Sequence, residues 1–246
     1  MSEKPSQLRI VVDEDIHLTT SSKLQQLAGP QLLEEQRNGA LVLDVRAPAQ
    51  FVSFHIRGAI QIGLTGPFAS WAAMLIAPAQ RLVLVAEDIR RVHEAHTRLV
   101  RVGLKHVLGY SLADETRWLS EGMDVASIST RRCAAVQDIL RDGSFIQLVD
   151  VRSQAEWLTG HLPGAISVPL LDLASEAQNI DRSRPSLVYC REGYRATTAA
   201  SVLLLKSSGD VGILIDGIEG WSALDLMLEI PSVESATNSP SLLRSN

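Results

Sequence analysis

Aromatic side chains are scarce in this sequence, 4% of 246 residues, although hydrophobic residues make up 46%. A core with so few rings must be aliphatic, as expected for helices packed on parallel strands of Val, Ile and Leu. Cysteine is nearly absent. Only Cys133 and Cys190 occur, in unlike surroundings, so a disulfide framework is implausible and reduced thiols are expected. No stretch approaches the roughly 18 apolar residues of a membrane span. The amino terminus MSEKPSQLRIVVDEDIHLTT lacks the apolar centre of a signal peptide, so a cytoplasmic location is expected. Nor is positive charge in excess: 23 Lys and Arg against 28 Asp and Glu give a net charge of -5. That mixed-sign surface leaves no footprint for nucleic acid or a membrane as partner.

What the sequence does contain is a repeat. LDVRAPAQFVSFHIRGAIQIGL (43 to 64) lies over VDVRSQAEWLTGHLPGAISVPL (149 to 170) without a gap. It matches Asp44 with Asp150, Arg46 with Arg152, His55 with His161, and Gly58-Ala59-Ile60 with Gly164-Ala165-Ile166. An offset of 106 residues is a domain-sized duplication, too long for a solenoid unit. Each copy reads as a helix (Lys23 to Gln36; Arg131 to Arg141) ended by Asn38-Gly39 or Asp142-Gly143, then a buried strand (Leu41 to Val45; Ile146 to Val151). A short helix, a Gly-Ala-Ile strand, another helix, and a second apolar strand (Arg81 to Ala86; Ser186 to Cys190) running into a helix complete the pattern. Strands alternating with helices predict an α/β fold with a parallel sheet in each half. The domains are expected over 15–124 and 128–231, joined near Gly122 to Ser129, with a disordered Ser-, Asn- and Pro-rich tail over 232–246.

Ligands collect at the carboxyl ends of strands in such sheets, and there LVYCREGYRATTAASVLLL (187 to 205) places Cys190 on a tight strand-to-helix turn. A thiol reacts as thiolate, so its free pKa of about 8.5 has to fall. The helix amino terminus, the close turn allowed by Gly193, and the charges of Arg191 and Arg195 favour that form and would also hold an anion. The two arginines are expected to outweigh Glu192. Cys133, on the apolar face of a helix without a glycine-rich turn, reads as a core residue. Aligning RLVLVAEDIRR (81 to 91) with SLVYCREGYR puts Ala86 at the position of Cys190, with Glu87, Asp88 and Ile89 replacing the rest of the turn. The first half is therefore expected to be catalytically inactive. His55 and His161, recurring in both halves, suggest a structural hydrogen bond, with His161 a possible supporting catalytic residue. Asp44-Arg46 and Asp150-Arg152 suggest fold-supporting ion pairs, with Arg152 a second possible supporting residue, and Trp118 and Trp221 read as core caps.

The Cys-x-x-Gly-x-Arg turn after a Leu-Val-Tyr strand, the upstream DVRSQAEWLTGHLPGAISVPL and the later DGIEGW together resemble a rhodanese (sulfurtransferase) domain, and the first half resembles a second one. Within the family, IGLTGPFASWAAMLI and the paired halves are most similar to the tandem rhodanese region fused behind a metallo-β-lactamase domain of the persulfide dioxygenase type. That metal domain is absent from this sequence, which has no His-x-His-x-Asp-His run, and neither metal nor cofactor is implied. The resemblance implies that Cys190 takes sulfane sulfur from thiosulfate or a low-molecular-weight persulfide and passes it to a thiol or cyanide. It also implies an anion cradle formed by Arg191, Glu192, Gly193, Tyr194 and Arg195. A persulfide dioxygenase or another sulfur-metabolism protein would be a partner. The alternative is a docking or regulatory module with little catalysis of its own. Cysteine phosphatases of related fold place five residues between cysteine and arginine. The four here leave less room for phosphate.

Overall fold

A computed structural model describes residues 24–143, 145–206 and 209–231; the expected tail over 232–246, and the part of the first domain before residue 24, lie outside the described residues. The chain forms two compact units, Met1–Ser129 with Ala200–Ser208, and Thr130–Ala199 with Gly209–Asn246.

The first unit runs α1 (Gly29–Arg37), β1 (Leu41–Asp44), α2 (Pro48–Ser53), β2 (His55–Ile56), β3 (Ile60–Gln61), α3 (Phe68–Leu75), β4 (Leu82–Ala86), α4 (Ile89–Arg101), β5 (Val107–Leu112), α5 (Glu115–Ser120) and β6 (Val125–Ala126). Its parallel sheet has the order β3-β1-β4-β5. Every residue of β1 and β4 is buried, because helices cover both faces of the sheet and the strands can be aliphatic throughout. The first helix starts later than the Lys23 to Gln36 pattern suggests. Pro30, with no N–H to donate, sits in its first turn, and the segment ahead of it is extended and pairs with Tyr110 of β5. The segment expected to link the halves is partly structured: β6 pairs with β2, and Met123 and Ile128 are buried.

The second unit runs β7 (Thr130–Arg131), α6 (Cys133–Arg141), β8 (Gln147–Asp150), α7 (Gln154–Leu158), β9 (Ile166–Ser167), α8 (Leu173–Glu176) between two short 3-10 turns, β10 (Ser186–Tyr189), α9 (Tyr194–Lys206, of which the residues from Ala200 on group with the first unit), β11 (Val211–Leu214) and α10 (Gly217–Ala223). Its parallel sheet has the order β7-β11-β10-β8-β9. Arg131, assigned to a helix by pattern, instead lies with Thr130 in an edge strand beside β11. The core gathers Val136, Leu148, Leu162, Leu187, Tyr189, Leu214, Ile218 and Trp221 around the sheet.

The duplication is visible in the strand registers. Leu43 and Asp44 lie beside Ile60 and Gln61, and Val149 and Asp150 lie beside Ile166 and Ser167. Asp44 also lies beside Val85 and Asp150 beside Tyr189, so the next residues, Ala86 and Cys190, occupy equivalent places. In both units the arginine two residues after the strand-ending aspartate folds back on it: Arg46 Nη2 is 2.6 Å from Asp44 Oδ2 and Arg152 Nη2 is 2.7 Å from Asp150 Oδ2. The same nitrogens donate to Phe54 O and Gly160 O, so each pair pins the turn that follows α2 or α7. Buried charges of this kind are tolerable only because both partners are hydrogen-bonded.

Candidate active site

Cys190 follows β10 directly, and four residues, Cys190 to Gly193, connect that strand to α9. The connection curls round the sulfur: the backbone N–H of Gly193 donates to Cys190 Sγ at 3.2 Å. Gly193 has φ +91, and a Cβ there would stand 2.9 Å from the carbonyl oxygen of Ile215, so both the turn and the close approach require glycine.

The turn is held from behind by α10. The N–H of Ile218 donates to Cys190 O at 2.9 Å and that of Glu219 to Arg191 O at 3.3 Å. No described peptide bond is cis, so turning these two carbonyls toward α10 turns the N–H groups of Arg191 and Glu192 away from it. Gly217 makes the approach feasible. Its φ is +57, and a Cβ would fall 2.2 Å from Arg191 O and 2.5 Å from Cys190 O. The residue is therefore as much a part of the site as the loop itself, and the only trace of it in sequence is the Asp-Gly of DGIEGW.

The charges are arranged differently from the expectation that two arginines dominate. Arg195 forms a bidentate pair with Glu156, Nη1 to Oε2 at 2.6 Å and Nη2 to Oε1 at 2.7 Å. Arg191 donates from Nε to Glu219 and lies 3.9 Å from Glu192. Two cations thus face three carboxylates, Glu156, Glu192 and Glu219. Glu156 and Glu219 come from α7 and α10, 39 and 28 residues from their arginine partners. No local pattern announces such pairs.

Glu156 has a second task. Its carboxylate accepts from the N–H and hydroxyl of Ser153, whose Oγ in turn caps Glu156 N, a capping box readable from Ser-x-x-Glu. The hydrogen bonds from Arg195 above all, then those from Ser153, hold the Glu156 carboxyl down at about 2 against the opposing effect of burial. A carboxylate whose folded value is depressed stabilises the fold fully above its unfolded value of about 4.5 and loses that contribution as pH falls toward 2. The pair is partly exposed and screened by water, which limits its worth to about 1 kcal/mol. Glu156→Gln is therefore expected to lower stability by that amount at pH 7 and by clearly less at pH 3. Urea unfolding at both pH values checks this, and an equal loss at the two would count against the ion pair.

The other residues singled out by sequence lie as follows. His161 stacks on Trp157 with ring centroids 3.4 Å apart and its Nε2 3.5 Å from Glu229. His55 stacks on Phe51, with Nδ1 2.8 Å from Phe51 O. The buried Nδ1 of His161 has no hydrogen-bond partner among the described residues. Trp118 Nε1 donates to Ser111 and Trp221 Nε1 to Met227 O, as amphipathic core caps do. Cys133 is buried at the start of α6, its Sγ 3.3 Å from Gly217 O. Burial first, then the charge of Asp216, pushes its thiol up to about 11, the state of an unreactive core cysteine.

In the first unit Ala86 ends β4 and only Glu87 and Asp88 separate it from α4. Counted from the equivalent residue, the connection is three residues, Ala86 to Asp88, against four, Cys190 to Gly193. The Asp88 side chain accepts from the N–H groups of Arg90 and Arg91, at 2.8 and 3.0 Å, and so occupies the helix amino terminus itself. The first unit therefore lacks both a nucleophile and a vacant anion cradle at this position.

The fold and this site define an α/β protein with a buried cysteine, Cys190, on a strand-to-helix loop. The sequence profile of the rhodanese-like domain matches residues 29–125 and 133–224. The chain belongs to that family and carries two such domains. It is similar to a sulfurtransferase of Allochromatium vinosum, 31% identical over 109 residues that cover 44% of this chain and 94% of that one. It is also similar to the thiosulfate sulfurtransferase GlpE of Coxiella burnetii, 31% over 78 residues, covering 32% and 73% of the two chains. A match to an HTH-type transcriptional regulator of Mycobacterium tuberculosis, 32% over 90 residues, covers 36% of this chain and 40% of the regulator, less than half the regulator's length.

Proposed function

We propose that the chain is a sulfurtransferase whose one working centre is Cys190. The observation that carries this reading is the loop: a sulfur that accepts the Gly193 N–H at 3.2 Å, with the neighbouring carbonyls tied back to α10. A backbone N–H aimed at the sulfur can donate to the outer or inner sulfur of a bound persulfide in the same place. In the first half-reaction the Cys190 thiolate attacks the sulfane sulfur of the donor. A new S–S bond forms, the donor's S–S bond breaks, and the electron pair leaves with a carrier thiolate or, from thiosulfate, with sulfite. In the second, a thiolate or cyanide attacks the outer sulfur of the Cys190 persulfide and releases the thiolate again. Dividing the transfer between two displacements is covalent catalysis at sulfur. The sulfurtransferase names of two relatives support the reaction class, and the likeness of the paired domains to those found behind persulfide dioxygenases supports a persulfide donor and a sulfur-metabolism partner.

The test is intact mass spectrometry after incubation with thiosulfate or glutathione persulfide. The expected result is a gain of one sulfur atom, confined to the peptide bearing Cys190 and removed by cyanide. No gain at Cys190 with either donor would favour a docking module instead.

A further inference from the structure

Helices α5 and α10 are counterparts: each follows the strand beside β4 or β10 and carries a buried tryptophan, Trp118 or Trp221. An aspartate stands ahead of each. In the first unit Asp114 behaves as such a residue ordinarily does, its side chain accepting at 2.9 Å from the N–H of Arg117 in its own helix. Asp88 does the same ahead of α4, reaching the N–H groups two and three residues on. The side chain of Asp216, ahead of α10, makes no such bond to its own helix. Its Oδ1 accepts from Arg132 Nη1 at 2.9 Å and its Oδ2 from the N–H of Cys133 at 3.4 Å, so it serves the start of α6 instead. The N–H groups two and three residues beyond it, those of Ile218 and Glu219, are thereby left to donate to Cys190 O and Arg191 O.

We infer, building on the sulfurtransferase reading, that Arg132 is a positioning residue for the Cys190 loop: it holds the Asp216 carboxylate at α6 and so keeps it from capping α10 and displacing the loop carbonyls. Without Arg132 the competition is unequal. A carboxylate is a charged acceptor, and its hydrogen bonds are roughly twice as strong as those of a neutral carbonyl. It is attached two and three residues from the N–H groups at issue, the offsets that Asp88 spans at 2.8 and 3.0 Å. The contact from the Cys133 N–H, long at 3.4 Å, is a weak tether by comparison. Losing Ile218 and Glu219 as donors frees the peptide groups that lead to Gly193, whose N–H donates to Cys190 Sγ. An ion pair as exposed as this one, 76% at Arg132 and 26% at Asp216, adds little stability by itself. Its value lies in where it keeps the carboxylate.

Three variants of the full chain test this, Arg132→Gln, Asp216→Ala and the two together, each by two measurements. The first is the pH titration of the Ile218 and Glu219 amide resonances by NMR, through the region of about pH 4 in which an aspartate ordinarily ionises. In Arg132→Gln both resonances are expected to follow the Asp216 carboxyl by clearly more than in the wild-type chain, and in the double variant to stop doing so. The second is sulfur transfer from thiosulfate or glutathione persulfide to cyanide. It is expected to fall about three- to tenfold in Arg132→Gln and to return to the level of Asp216→Ala when both residues are changed. Arg132 is well exposed, so its replacement is safe for folding. Resonances that titrate no more in Arg132→Gln than in the wild-type chain, transfer unaffected by Arg132→Gln, or a double variant as slow as Arg132→Gln would each overturn the positioning role. Absence of transfer in the wild-type chain is a different result: it would overturn the sulfurtransferase reading, and the amide titration alone then decides whether Arg132 keeps Asp216 off α10.

Discussion

Replacing Cys190 with serine is expected to abolish sulfur transfer, lowering turnover by at least about a thousandfold. A hydroxyl in the same loop keeps the shape and the Gly193 hydrogen bond but cannot be a thiolate, and alkoxide formation is out of reach near neutral pH. Cys133→Ser serves as the contrast. Serine there can still donate to Gly217 O, and a thiol pushed up to about 11 contributes no nucleophile, so most of the activity should remain. Transfer to cyanide, measured by thiocyanate formation, decides between them. Comparable activity in the Cys190→Ser chain would remove the single-centre mechanism altogether.

The second large effect is expected at a residue that touches no substrate. Gly217→Ala forces a methyl to within 2.2 Å of Arg191 O and 2.5 Å of Cys190 O, against backbone that cannot swing aside without opening the loop. It also strains a left-handed backbone with φ +57. The expected cost is about 3 kcal/mol or more of stability, with transfer reduced at least about tenfold in the protein that remains folded. Gly164→Ala separates strain from collision, since Gly164 has φ +69 but open space beyond its Cα. It should lose only about 1–2 kcal/mol and leave the loop intact. Denaturant unfolding and thiocyanate assays on both variants provide the check; equal losses would show that contact with the loop carbonyls is not what matters.

The features legible in sequence are those written in short range or in repetition. Aliphatic runs such as Leu82–Ala86 and Ser186–Tyr189 are buried strands because a sheet covered on both faces needs no alternation. The aliphatic strand ends LVLVA and SLVYC set Ala86 opposite Cys190, as the strand registers do. The four-residue spacing in Cys-x-x-Gly-x-Arg located the loop, and Ser-x-x-Glu contained the cap of α7. Less legible were the elements whose partners lie far along the chain. Arg131 looks helical until β11 offers it and Thr130 an edge, and Pro30 delays α1 while the residues ahead of it pair with β5. The charge balance of the site is illegible in sequence for the same reason. Arg191 and Arg195 look like free cations beside one glutamate, whereas Glu219 and Glu156 reach them from two other helices. Sequence shows how many charges there are; only the fold shows which of them meet.

Asp88 in the first unit makes the two halves unequal as receptors. Its carboxylate, held below the usual range by the N–H of Arg91 foremost and Arg90, is a ligand joined to its own receptor. A tethered group of this kind competes at an effective concentration in the millimolar range or above, without ever diffusing away. A free oxyanion at ordinary solute levels would have to displace it and gain nothing in exchange. In titration with sulfite or sulfate, two homologous halves would therefore behave at these loops as a monovalent host.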